Sequence, residues 1–314
     1  MLADAPVQSA LVLGGGIDGL AAAIALAQEH VHVDLRAAPS AGDAAAGAAV
    51  DIAGRSVDAL DALGILAEVL PAATVHDATL FDPSGSLLPE RAGTDEERPA
   101  ALTVSVAALT AALRDRAEAL GVAIADDTDG GHDANDSGVS SVDGSVERDH
   151  ALVTFQDGST CEPDLVVAAD GIGSPLRALV FGDAVADAAD AAIVSDETDA
   201  GDPPTLRLDG DWHQGRVVLV GAAAHVATSA LPAGGLALED AVVLGQCVAH
   251  ADATSGALEA FTRRRRVRVD LVVDASRELQ RLARGGAAGM DAAAQEERAA
   301  ALRGRALGVL AMPY

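Results

Sequence analysis

Short runs of apolar residues alternate along the chain with longer stretches in which apolar positions recur every three or four residues. Ser9 to Leu13 is the first short run, and it ends in Gly14-Gly15-Gly16-Ile17-Asp18-Gly19. Leu20 to Gln28 follows, rich in Ala and Leu and free of breakers, which predicts a helix. Val31 to Leu35 predicts a second strand. A βαβ opening of this kind, with helices alternating with apolar strands downstream, predicts an α/β fold on a parallel sheet. Asp164 to Ala169 and Arg216 to Val220 carry short continuous apolar runs, as expected of strands buried on both faces.

The remaining pattern fills in around these elements. Residues 55–70 predict one helix, with Val57, Leu60, Leu63 and Leu66 on a shared face and Gly64 near its end. Residues 74–90 are strand-like, turning at Asp82-Pro83-Ser84-Gly85. Val106 to Leu120 is helical, closed by Gly121. The stretch from Asp126 to Asp149 has the acidic, Gly- and Ser-rich composition of a solvated loop. Its acids Asp126, Asp127, Asp129, Asp133 and Asp136 lack the alternation and closing Glu of a calcium loop, so no metal site is expected. Ala151 to Phe155 and Thr160 to Cys161, joined across Asp157-Gly158, predict a hairpin. Leu236 to Ala249 and Leu258 to Leu282 predict helices, and the Ala- and Glu-rich tail after Gly285 predicts a peripheral one.

Composition changes the picture in one respect. The 314 residues carry 48 acids against 21 bases for a net charge of −27, and every base is arginine. Such a charge lacks the positive footprint that nucleic acid requires. It also repels itself in dilute buffer, whereas at molar salt the Debye length falls to about 3 Å and most of that repulsion is screened. A salt-adapted cytoplasmic protein is the resulting expectation. Codon bias toward Ala, Arg, Asp and Gly is the alternative, and it accounts for the missing lysine better than for the surplus acid. Cys161 and Cys247 offer neither metal spacing nor a disulfide framework. Neither a signal peptide nor a membrane span is expected from the opening residues or from any apolar stretch.

The glycine turn carries the first chemistry. Gly14 permits a tight turn after the strand, Gly16 lets a pyrophosphate approach the backbone, and Gly19 lets the helix pack on the sheet. The helix N-terminus then offers amides and a positive dipole to the phosphates. An acid about 20 residues past the first glycine should bind ribose hydroxyls, and Asp34 lies at that distance. A solvated strand position beside His32 is the competing reading of Asp34.

Four segments together resemble the class A flavin-dependent monooxygenases related to para-hydroxybenzoate hydroxylase. They are Gly14 to Ala23, Gly47 to Arg55, Asp164 to Arg177 with its Asp170-Gly171 pair, and Gly215 to His225 continuing to Leu236-Ala237-Leu238-Glu239-Asp240-Ala241. The resemblance implies a Rossmann-like FAD-binding domain, discontinuous over 8–73, 100–182 and 211–250. It implies a reduced β-rich substrate region at 74–99 and 183–210, and a helical segment over 251–314. It further implies FAD as cofactor, NADH or NADPH as co-substrate, and a small organic substrate oxygenated through a flavin C4a-hydroperoxide. In that scheme Gly14, Gly16 and Gly19 hold the pyrophosphate, Asp34 or Arg36 the adenosine ribose, and Asp170 with Gly171 the flavin side. Pro232, Gly234 and Gly235 open a helix whose dipole faces the flavin. Arg263 to Arg266 become part of an ion-paired helix, and His225 a structural or flavin-adjacent residue. No catalytic residue is assigned.

The chain also departs from the family pattern. Ala222 stands where the family's ribityl-binding acid belongs, and losing such a bond costs about 1.5–3 kcal/mol. Val106 replaces an FAD-contacting Arg, Leu35 stands at the family's ribose acid when the strands are aligned on Arg36, and the loop at 232–235 is short. The stretch 175–220 leaves little chain for a sheet walling a substrate pocket. Two alternatives therefore stand beside the monooxygenase: a catalytically impaired flavin or nucleotide binder, and a relative of the geranylgeranyl reductases. The charge argument has its own test. Tm measured from dilute buffer to molar KCl is expected to rise, and a Tm indifferent to KCl would remove the salt-adapted reading.

Overall fold

The computed structural model describes residues 6–37, 48–76, 99–126, 138–182, 185, 206–208, 210–227, 231, 234–283 and 291–314. The first half contains β1 (Ser9–Leu13), α1 (Ile17–Gln28), β2 (His32–Ala37), β3 (Ala49–Ala53), α2 (Arg55–Ala62) and α3 (Leu66–Val69). β4 (Ala73–His76), β5 (Ala101–Ser105), α4 (Val106–Ala119), β6 (Ala123–Asp126) and β7 (Val139–Asp143) follow. Next come β8 (Leu152–Phe155), β9 (Thr160–Cys161), β10 (Leu165–Ala168), α5 (Pro175–Phe181), β11 (Leu206–Arg207) and β12 (His213–Gln214). β13 (Val217–Leu219), β14 (His225–Val226), α6 (Leu236–His250), α7 (Thr254–Ala283) and α8 (Ala292–Ala311) complete the order.

Six strands form the central sheet in the order β12-β13-β10-β1-β2-β6, parallel throughout except for β12 at one edge. The α/β class and the parallel sheet are as the apolar pattern predicts. Residues Ala10–Leu13, Leu165–Ala168 and Val217–Leu219 are all buried, with α1 packed on the sheet and the β7–β9 segment meeting it at Val217 and Arg36. The alanine content of α1 has a packing use. A Cβ placed on Gly245 of α6 would come 2.9 Å from the Ala25 carbonyl oxygen, so small residues on both helices let their backbones approach closely.

At the amino end of the sheet a single carboxylate fastens β1 to β10. Asp164 Oδ2 accepts from the Gln8 and Ser9 amides, each at 2.8 Å, and from the Ser9 hydroxyl at 3.0 Å. Its Oδ1 lies 2.8 Å from His150 Nδ1.

Three expectations need correction. The single helix over 55–70 is broken, since Gly64 takes φ +75° and separates α2 from α3. The solvated loop over 126–149 contains β7, which pairs antiparallel with β8 and buries Val139. A bulge between Val139 and Ser141 brings Val139 and Val142 to one face of this edge strand while Ser140, Ser141 and Asp143 are exposed, so the sequence shows no period-2 alternation to read. The tail helix is not peripheral: Leu302, Ala306, Val309 and Leu310 of α8 are buried. Of the strand-like stretch 74–90, Thr74 to His76 belong to β4, which joins β3 and β5 in a three-stranded antiparallel sheet. Residues 77–98 and 186–204, most of the expected substrate region, lie outside the described residues, as do Asp127, Asp129, Asp133 and Asp136. No described helix is long and apolar enough to cross a membrane, and both cysteines are free.

Burial by itself would raise the Asp164 carboxyl, but the Gln8 and Ser9 donors and His150 outweigh it and hold it below the ordinary value of 3.8. The stabilisation is therefore complete above that value and lost as pH falls through the lower folded-state value. Asp164→Ala is expected to cost about 1–3 kcal/mol in urea unfolding at neutral pH, and less than that in acid.

Candidate functional site

The sheet order places a topological switch at β1. Its crossover through α1 leads to β2 on one side, while its other neighbour is β10, followed by β13. Connections from the carboxyl ends of β1 and β10 thus diverge and leave a crevice, the place where open α/β sheets receive ligands. Three segments meet there: the glycine turn after β1, residues 169–173 after β10, and a 3-10 turn, Gly221–Ala223, after β13. Backbone bonds fix their order, from Gly14 N to Arg36 O at 2.9 Å, Ala169 N to Leu13 O at 2.8 Å, and Val220 N to Ala168 O at 3.1 Å.

The three glycines of the fingerprint differ in what they permit. Gly14 has φ +129°, and a Cβ there would lie 2.1 Å from the Ala169 carbonyl oxygen, so both conformation and the neighbouring loop require glycine. A Cβ on Gly19 would lie 2.0 Å from the Gly14 carbonyl oxygen, which lets α1 close onto the turn. Gly16 is exposed, and a Cβ there would meet nothing within 4 Å. It is also the N-cap of α1 and supplies no capping side chain. Open space above uncapped first-turn amides is the geometry of an anion cradle.

The other expected site residues are placed as follows. Arg36 stands near the carboxyl end of β2 with its guanidinium carbon 3.7 Å from the Phe155 ring centroid. Asp34 sits mid-strand opposite Leu11 and Ala123, exposed and 3.8 Å from His32. Asp170 is buried after β10 and accepts from Ser174 Oγ at 2.6 Å and the Leu176 amide at 3.0 Å. Burial raises its carboxyl, against the opposing pull of those two donors and of Arg177. Gly171 has φ +87° and an open Cβ position. Arg177, fully buried, donates Nε to the Ala223 carbonyl and an amino group to the Ile172 carbonyl, so it ties the second segment of the crevice to the third. Pro232 lies outside the described residues. Cβ atoms on Gly234 and Gly235 would come 2.5 Å from Val50 Cγ1 and 2.2 Å from Ser56 Cβ, so these glycines let the start of α6 press against β3 and α2.

Sequence reasoning missed Asp18. It stands in the first turn of α1, half-buried, and its Oδ2 accepts from the Ala222 amide at 2.7 Å. Gly221 makes room for it, because a Cβ there would lie 2.2 Å from the same oxygen. Burial raises the Asp18 carboxyl, the Ala222 amide and His225 oppose this, and the Asp240 charge adds to it. The signal available was an acid inside the glycine turn itself.

Behind the crevice lies a buried ion network. Asp240 Oδ2 accepts from the Gly221 amide at 3.1 Å and lies 2.6 Å from His225 Nε2, while Oδ1 takes Arg265 Nε at 2.6 Å. Burial would raise Asp240, yet His225 and Arg265 hold it down at about 2. Glu239 accepts from Arg265 at 2.8 Å, from Arg268 Nε at 2.6 Å and from Ser56 Oγ at 2.7 Å. Arg268 also donates to the carbonyls of Val309, Leu310 and Met312. The arginine run is thus ion-paired through Arg265. His225 is buried within this network, its ring 5.2 Å from that of Trp212. A separate hollow of about 670 Å³, lined by Gln246, Cys247, His250 and Arg264 among others, shares no residue with the crevice. Among the described residues no group of three His, Cys, Asp or Glu could hold a metal.

A family model described as an FAD binding domain matches residues 7–193. The fold is similar to that of tetracycline destructase Tet(51), with TM-score 0.69 and 17% identity over 98% of this chain and 100% of that one. It is similar to HpxO of Klebsiella pneumoniae complexed with FAD, with TM-score 0.68 and 21% identity over 94% of each chain. It is likewise similar to 2-methyl-3-hydroxypyridine-5-carboxylic acid oxygenase, with TM-score 0.63 and 22% identity over 94% of this chain and 96% of that one. No curated protein matches the chain by sequence.

Removing one partner from a buried ion network leaves an uncompensated charge, at about 3–5 kcal/mol. Arg265→Ala is expected to lose stability of that order in urea unfolding, with the Trp212 fluorescence transition moved to lower denaturant.

Proposed function

The chain belongs to the FAD binding domain family, whose model spans residues 7–193, and from that premise we propose that it is an FAD-dependent monooxygenase. It would use NADH or NADPH and O2 to oxidise a small organic substrate. One observation carries the reading: at the switch point of the sheet, an open and uncapped glycine cradle faces two further loops across a crevice. The residues present fit the diphosphate end of the dinucleotide. Gly14, Gly16 and Gly19 would hold the pyrophosphate against α1, and Arg36 at the end of β2 would meet the adenosine ribose. Asp34, two residues further down the strand, would lie less directly against that sugar. Asp170 and Gly171 would border the flavin side, and the uncapped start of α6 at Gly234 and Gly235 would place its positive end toward the ring.

When bound, FAD supplies the oxygen chemistry. The chain's part is to hold it, orient it and exclude water. The proposed division follows the sequence: 8–73, 100–182 and 211–250 bind the cofactor, 74–99 and 183–210 border the substrate, and 251–314 backs the site through Arg265 and Arg268. The acid surplus supports a cytoplasm of high salt as the setting. A second reading, a flavin binder with impaired turnover, is favoured by Ala222, which leaves its position without a carboxylate of its own, and by Asp170, whose oxygens already serve Ser174 and Leu176.

Two measurements test the proposal. Protein purified in molar KCl is expected to show flavin absorbance, or to acquire it on adding FAD, and to oxidise NAD(P)H with O2 uptake. Flavin uptake without oxidation would select the impaired reading, and no uptake would reject both. Gly16→Val places a side chain in open space, so the fold should lose only about 1 kcal/mol at the cap. FAD affinity should nevertheless fall at least tenfold in a fluorescence-quenching titration.

A further inference from the structure

The first turn of α1 should present only donors to a diphosphate, yet it carries a carboxylate. Asp18 is poised between Gly16, above which the space is open, and Gly19, which packs on the turn. Its Oδ2 takes the Ala222 amide at 2.7 Å. The preceding amide, Gly221 N, is taken by Asp240 Oδ2 at 3.1 Å. Two carboxylates thus engage consecutive amides of one turn, but their situations differ. Asp240 is fully buried and matched by Arg265 and His225, so its charge is spent inside the protein. Asp18 is half-buried and, among the described residues, makes no ion pair, although the His225 ring shared with Asp240 also favours its charged form. Its remaining partner is the positive end of α1, the same partner that an incoming diphosphate would use. The absence of a side chain on Gly221 is what admits the carboxylate, since a Cβ there would overlap it at 2.2 Å.

We propose that the Asp18 carboxylate is a resident anion of the dinucleotide crevice, occupying donors that the cofactor's pyrophosphate must take over and so setting how tightly the chain holds a nucleoside diphosphate. This rests on the FAD reading above and deepens it. Two effects act in the same direction. The carboxylate competes for the Ala222 amide and the α1 terminus, and its charge repels the phosphates across a half-buried site where solvent screening is incomplete. Cofactor binding therefore requires the Asp18 side chain to turn away or take up a proton.

The test compares wild type, Asp18→Asn and Asp18→Ser by isothermal titration with FAD and separately with ADP, at one KCl concentration, with Tm recorded for each. Asparagine keeps an oxygen for the Ala222 amide and removes only the charge; serine removes the reach as well. Both variants are expected to bind FAD and ADP at least tenfold more tightly than wild type, with Tm within a few degrees of it. Equal or weaker binding by Asp18→Asn overturns the proposal, and if wild type still takes FAD the flavin reading stands without it. Tighter ADP binding with no uptake of FAD by any form keeps the resident anion and rejects the flavin. No binding of either ligand by any of the three proteins overturns both.

Discussion

The structure depends on placing two arginines and two acids where water does not reach. Arg265 and Glu239 are fully buried, Asp240 likewise, and Arg268 nearly so. Desolvating such ions costs several kcal/mol each unless nearly every polar atom finds a partner. The partners come from elements far apart in sequence: Ser56 on α2, the Gly221 amide after β13, His225 on β14, and backbone carbonyls at the end of α8. A network of this kind tolerates little displacement. It therefore fixes the relative positions of α6, α7, α8 and the β13 turn, and through Gly221 it reaches the edge of the crevice.

Close approach of backbones is the second constraint, and it recurs wherever the crevice is built. Gly14 against Ala169, Gly19 against Gly14, and Gly235 against Ser56 each leave no room for a Cβ. Gly16 alone of the fingerprint glycines faces open space. This contrast separates the glycines that shape the site from the one that leaves it accessible. The apolar interior, built mainly from Ala, Val and Leu, follows the same logic, because small side chains let helices and sheet come near enough to bring the loops together.

Much of this was legible in the chain. The buried strands at 165–168 and 217–219 read clearly because a parallel sheet covered on both faces leaves no polar alternation to confuse the signal. The glycine turn read clearly because its spacing encodes backbone contact directly. Three features did not. β7 is an edge strand with one valine-bearing face, so its composition resembles a loop. α8 is rich in Ala and Glu like a surface helix, yet its apolar residues pack on α7 and its last carbonyls meet Arg268, contacts with no local signal in its own sequence. Asp18 escaped because a helix start normally welcomes an acid, and only the fold shows that Ala222 lies within its reach.

The carbonyls of Val309, Leu310 and Met312 that surround Arg268 are separated from it by more than forty residues of chain. During synthesis they emerge after every other member of the network has left the ribosome. Until they arrive, a nascent chain holds a guanidinium whose acid partners are present but whose remaining donors lack their acceptors. However early the sheet assembles, the charged interior is not complete until the end of α8 is in place.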